Sequence, residues 1–106
     1  MFKDLITILE ENGKGIHALR KGAQAARARA AAEPDRAAAW TLMALRAEEF
    51  IDANERMAIT AGQTKTLFEQ IATETARLDT AFAGADAGEK LAVLNDIAAS
   101  LARGAG

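Results

Sequence analysis

Apolar positions spaced alternately by three and four residues run through Phe2, Leu5, Leu9, Asn12, Ile16, Leu19, Ala23, Ala26 and Ala30. The spacing resumes through Trp40, Met43, Ala47, Phe50, Asn54, Met57, Ala61 and Thr64. That period keeps one face of an α-helix apolar, so the chain reads as two helical seams. Between them stands Pro34, the only proline. Proline drives the residue before it out of the helical region and suits the first turn of the helix after it, which makes Glu33-Pro34-Asp35 a junction. Asp35 then lies near the positive end of the new helix dipole. Folding back there sets residue i opposite roughly residue 66 − i, pairing Ala26 with Trp40, Ala23 with Met43, Leu19 with Ala47, Ile16 with Phe50 and Leu9 with Met57. Asn12 then faces Asn54, and a facing asparagine pair in an apolar seam is expected to fix the register.

The core available to such a chain is thin. Half of the 106 residues are hydrophobic, but 27 are alanine, which favours helix and buries little area. One valine, no tyrosine and one proline argue against a sheet. The expected fold is therefore all-α, one domain over residues 1–106, an antiparallel helical bundle with coiled-coil-like packing. A bundle with so few large side chains gains from burial against a second copy, so a homodimer is expected.

Helices are expected over about residues 3–32, 34–61, 65–83 and 87–103. Asn12-Gly13-Lys14-Gly15 is turn-like, yet the apolar phase crosses it without a slip, and a continuous first helix is the expectation. The second seam also continues in phase through Phe68, Ile71, Thr75, Leu78 and Phe82. The middle two segments are thus either separate, giving four helices, or joined in one long central helix, giving three. Gly62 as a C-terminal cap and Thr66-Leu67-Phe68-Glu69 as a capping box favour the break. Gly84 to Glu89 opens the last helix, with Asp86 and Glu89 spaced as a capping box and the stripe Leu91, Leu94, Ala98 and Leu101, with Ile97 beside it, expected to pack inward.

Several classes of chemistry fall away. The chain has no cysteine, so disulfides, thiolate metal sites and cysteine nucleophiles are excluded. A net charge of −2 offers no general attraction to nucleic acid or anionic membrane, and nucleic acid is not expected as a partner. No run approaches a membrane span or a signal-peptide core, so no membrane insertion is expected and the expected location is cytoplasmic. Ser100 is the sole serine, and neither a phosphate-binding glycine loop nor a dinucleotide fingerprint appears. Neither catalysis nor a cofactor is expected.

Three groups of polar residues remain. Glu48, Glu49, Asp52 and Glu55 form an acidic cluster that Glu10, Glu11 and Glu69 could join in a ferritin-like carboxylate metal site. Such sites usually use two Glu-x-x-His elements, whereas here Glu49 is followed three residues on by Asp52, and no metal is expected. From Asn12 to Ala30 the chain carries Lys14, Arg20, Lys21, Arg27 and Arg29 and no acid. This basic stripe could meet the acids of the second helix across a dimer interface. His17, the only histidine, lies in Ile16-His17-Ala18-Leu19-Arg20-Lys21-Gly22.

That heptapeptide resembles the phosphorelay helix of histidine phosphotransfer domains, four-helix bundles of about this size in which lysine and glycine follow the histidine by three and four residues. Here they follow by four and five, with Arg20 at the third position. The resemblance implies His17 as a phospho-acceptor in a signalling module. The principal expectation is different: a small helical interaction or scaffolding protein whose partner is another protein or itself. Its contact residues would be Trp40, Leu42, Leu45 and Ile59, apolar residues mostly off the main seam, with Lys14, Lys21, Glu48 and Asp52 as a polar rim.

Overall fold

The structure is a computed structural model that describes residues 1–54 and 59–104. Within them the chain forms five α-helices and no strand: α1 (Asp4–Glu11), α2 (Ile16–Ala32), α3 (Ala37–Ala53), α4 (Ala61–Ala83) and α5 (Ala87–Ala102). A 3-10 turn over Pro34–Arg36 joins α2 to α3. Met57 and Glu55 lie outside the described residues, so their expected places in the seam and the acidic cluster are left aside.

The continuous first helix does not form. Gly13 and Lys14 both take positive φ, 89° and 63°, and the chain reverses. The left-handed region is open to glycine and costs a lysine about 1 kcal/mol or more. α1 folds back along α2, so that Asp4 at one end of α1 meets Arg29 near the far end of α2 at 2.8 Å. Asn12 closes α1 by donating its side-chain amide to the Ile8 carbonyl, and Asn54 closes α3 the same way on Phe50. Each asparagine therefore caps its own helix instead of bonding across the seam. At both helix ends the same carbonyl accepts from the backbone N–H and from the side-chain amide of its asparagine.

The hairpin about Pro34 is present, with its centre shifted. α2 stops at Ala32 and α3 starts at Ala37, because four residues are spent on Glu33 and the 3-10 turn. The midpoint moves from Glu33 to between Pro34 and Asp35. Contacts across it fall later in α3 than the 66 − i rule gives: Arg27 reaches Glu48, and Arg29 lies over the Trp40 ring at 5.0 Å.

The long central helix is also overturned. α3 ends at Ala53, and Thr60, in extended conformation, caps α4. The capping box lies one turn and a half earlier than expected: Thr60 Oγ1 accepts from the Gln63 N–H at 3.1 Å, and Gln63 Oε1 accepts from the Thr60 N–H at 3.0 Å. Thr60-x-x-Gln63 satisfies the same pattern as Thr66-x-x-Glu69. Gly62 consequently sits in the first turn of α4 rather than ending a helix. Asp86 caps α5 as expected, accepting from the Gly88 and Glu89 N–H groups.

Phe2 seats the short first helix. Its ring packs at 4.8 Å from Trp40 and 5.2 Å from Phe82, joining α1 to α3 and α4. Leu5 and Leu9 lie over Gly22 of α2, where a Cβ would stand 2.9 Å from Leu5 Cδ1. The absent side chain lets the two helices close up. Met43, Ile71, Leu78 and Ile97 complete the buried set from α3, α4 and α5. In α5, Val93 and Ile97 point inward while Leu91 is 57% exposed. Of the expected stripe, Leu94 and Leu101 pack half-buried against the core and Leu91 alone stands exposed, while Ser100, on the same row as Val93 and Ile97, bonds Arg46, and Asp96 bonds Arg77 of α4 at 2.7 Å.

Candidate functional site

α2 is buried along Ala18, Leu19, Gly22, Ala23 and Ala26, which leaves His17, Arg20, Lys21, Gln24, Arg27, Ala28, Ala31 and Ala32 facing out. Alanine at the buried positions lets α3 approach closely, with Ala39, Ala44 and Ala47 buried on its side. The outward row of α3 is Ala38, Thr41, Leu45, Glu48 and Asp52, spaced by three or four and exposed or half-buried. Leu45 is 40% exposed.

The two rows flank a shallow groove of about 260 Å³ lined by Arg20, Gln24, Arg27, Glu48, Ile51 and Asp52, with Ala23 beneath. Arg27 spans it, donating from Nε and Nη2 to the two oxygens of Glu48, each at 2.6 Å. These bonds hold the Glu48 carboxyl below its ordinary pKa, against a smaller opposing effect of burial. α2 and α3 run in opposite directions, so the basic N-terminal half of α2 lies beside the acidic C-terminal half of α3. The other end of the face, Ala28, Ala31, Ala38 and Leu45, carries no charge.

The expected contact residues are placed unequally. Leu45, Glu48 and Asp52 lie on this face and Lys21 at its rim, all exposed or half-buried. Trp40 does not: it is 1% exposed and packed under Phe2, since its position on α3 points toward α1 and α4. Leu42 is half-buried against the core, and Ile59 stands half-buried just before the Thr60 cap. Lys14 lies in the turn before α2 with Nζ 4.4 Å from the Phe68 ring centroid. His17 is exposed in the first turn of α2, and Gly22, part of the phosphorelay-like heptapeptide, is buried as a packing contact with α1. Among the described residues no group of three or more His, Asp or Glu is placed to hold a metal ion. No helix there is long and apolar enough to cross a membrane.

A second polar centre was not singled out by the sequence reading. Arg46, 4% exposed, donates from Nε and Nη2 to Glu74 of α4 at 3.0 and 2.6 Å, and from Nη2 to Ser100 of α5 at 3.0 Å. The sequence signal was available, because Arg46 is the only charge between Ala37 and Ala47. Arg46 also lines a cleft of about 690 Å³ between the end of α3 and the start of α4, with Phe50, Leu67 and Gln70. A bidentate guanidinium–carboxylate pair with an added hydroxyl satisfies its own charges and ties three helices together.

No protein-family model matches the chain, and no curated protein or solved structure matches it.

Proposed function

We propose that this protein is a non-enzymatic helical interaction module that associates with a second copy of itself through the outer face of α2 and α3. The observation that carries the reading is the layout of that face. Arg20 and Arg27 stand beside Glu48 and Asp52 at one end, and Ala28, Ala31, Ala38 and Leu45 occupy the other. A two-fold axis lying in the face and parallel to the helices exchanges left with right and leaves the ends in place. It lays α2 of one copy on α3 of the other, basic row on acidic row, and the uncharged end on its counterpart. An antiparallel four-helix contact with helix-on-helix packing results, in which charge sets orientation and Leu45 supplies apolar burial.

Light scattering and sedimentation over a range of concentrations test this directly. A dimer is expected that weakens in high salt, and that Leu45→Glu abolishes. Arg20→Glu and Asp52→Lys should each weaken it about tenfold or more, and the two together should restore it, since the pairing is reversed and kept. A wild-type protein that stays monomeric at high concentration overturns the reading. Restoration that fails in the double variant removes the proposed geometry.

A further inference from the structure

We propose that α1 is an exchangeable element: it leaves its seat on its own chain and fills the same seat on a second copy, with residues 12–15 as the hinge. The seat is built from side chains that recognise α1 and lie elsewhere in the chain. Phe2 enters between Trp40 and Phe82, and Leu5 and Leu9 rest on Gly22. At the N-terminal end of α1 Arg29 donates to Asp4, and the Asp79 carboxylate accepts the Phe2 N–H at 2.7 Å. Each of these groups is present in an identical second copy, which makes α1 of that copy the ligand the seat fits without change.

The hinge carries two arrangements. As a turn it requires positive φ at Gly13 and at Lys14, the one non-glycine residue among those described with that conformation. Yet the apolar spacing Leu9, Asn12, Ile16, Leu19 crosses the turn in helical phase, which a turn has no need to preserve. With residues 12–15 helical, α1 and α2 become one helix, and the apolar face of α1 stands beyond the body by about 18 Å, at 1.5 Å per residue. Leu5 and Leu9 would then be exposed unless a second copy received them. The same residues that close the monomer thereby join two chains when the hinge straightens.

The inference is independent of the outer-face dimer, and the experiment separates them. The variant Gly13→Ala/Gly15→Ala disfavours the turn and favours helix, and Leu45→Glu in the same chain removes outer-face association. Asp4→Cys/Arg29→Cys, in a protein without other cysteines, then reports where α1 sits when bridged by a short bis-maleimide. The expected result is a dimer by light scattering with undiminished helical circular dichroism, and a covalent dimer on a denaturing gel. Bridging confined to single chains, or a monomer at high concentration, overturns the exchange. Should the hinge variant fail to fold, the wild-type hinge with Leu45→Glu and the cysteine pair is refolded at high concentration and bridged. Covalent dimers that exceed those of a sample refolded dilute support the exchange, and equal amounts overturn it.

Discussion

Arg46 and Glu74 are joined by two hydrogen bonds at 3.0 and 2.6 Å in a site where both side chains are nearly withdrawn from solvent. The pair couples α3 to α4 where alanine-rich surfaces supply little area of their own. Its net contribution is smaller than its geometry suggests, because both charges have lost their hydration. Losing one partner is a different matter.

Glu74→Ala strands a buried guanidinium, and should cost about 3–5 kcal/mol. Ser100→Ala removes one hydrogen bond to a charged group and should cost about 1.5–3 kcal/mol. Arg46→Met with Glu74→Leu should recover most of the loss, since an apolar pair has no hydration to forfeit. Urea unfolding monitored by circular dichroism measures all three. A Glu74→Ala cost as small as that of an exposed substitution would show that the pair is hydrated.

The start of α4 can be located by its cap. Thr60→Ala should destabilise by about 1 kcal/mol, whereas Thr66→Ala, more than a turn inside the helix and exposed, should stay within about 0.5 kcal/mol. Hydrogen exchange at the Gln63 amide, which bonds Thr60 Oγ1, should accelerate only in the first variant.

The seating of α1 rests on Phe2 and on the bare backbone at Gly22. Phe2→Ala should cost about 3–5 kcal/mol and redden the emission of Trp40, the only tryptophan, by opening its cover to water. At Gly22 alanine gains about 1 kcal/mol of helix propensity. Against this, its Cβ meets two leucine methyls that must shift, so the net change should be small. Gly22→Leu has no such room and should cost about 1–3 kcal/mol or more, with protection lost first at the amides of α1.

Acid should act through two exposed ion pairs. Asp4 is held below its ordinary value chiefly by the hydrogen bond from Arg29, and Glu48 by those from Arg27. A carboxylate with a lowered folded pKa contributes stability above its unfolded pKa and loses that contribution as pH falls through the folded value. The contribution should therefore hold from neutrality to about pH 5, begin to fall through the ordinary carboxylate range near about pH 4, and be lost as pH drops through the lowered folded values. Arg29→Met and Arg27→Met should each flatten the acid limb of a plot of stability against pH, an effect that salt diminishes.

What could be read from the residues was what local chemistry decides. Pro34 announced its junction, Asp86 its cap, and the three-four spacing the helical class. The reversal at Gly13 and Lys14 was hidden because the apolar phase suits a straight helix as well as a folded one, and only contacts with Gly22, Trp40 and Phe82 select the turn. The expectation fell on Thr66-x-x-Glu69 and a start near residue 65, whereas Thr60-x-x-Gln63, of the same capping form, is the pair that closes its hydrogen bonds. Ser100 meets Arg46 across 54 residues of chain, a contact that no periodicity reports. Trp40 was expected both in the seam opposite Ala26 and as a contact residue, and its full burial under Phe2 depends on α1 folding back. Of the outer face, Leu45, Glu48 and Asp52 were legible, since outward positions on a helix follow from its period alone.

The hydrogen bond from Phe2 to Asp79 spans 77 positions of the chain. During synthesis at about 5–20 residues per second, several seconds separate the emergence of α1 from that of the carboxylate that secures it. Through that interval α2 and α3 are able to pair while α1 has no anchor from α4. Chains crowded on one message would meet in this state, and the order in which the helices leave the ribosome then bears on whose α1 ends on whose body.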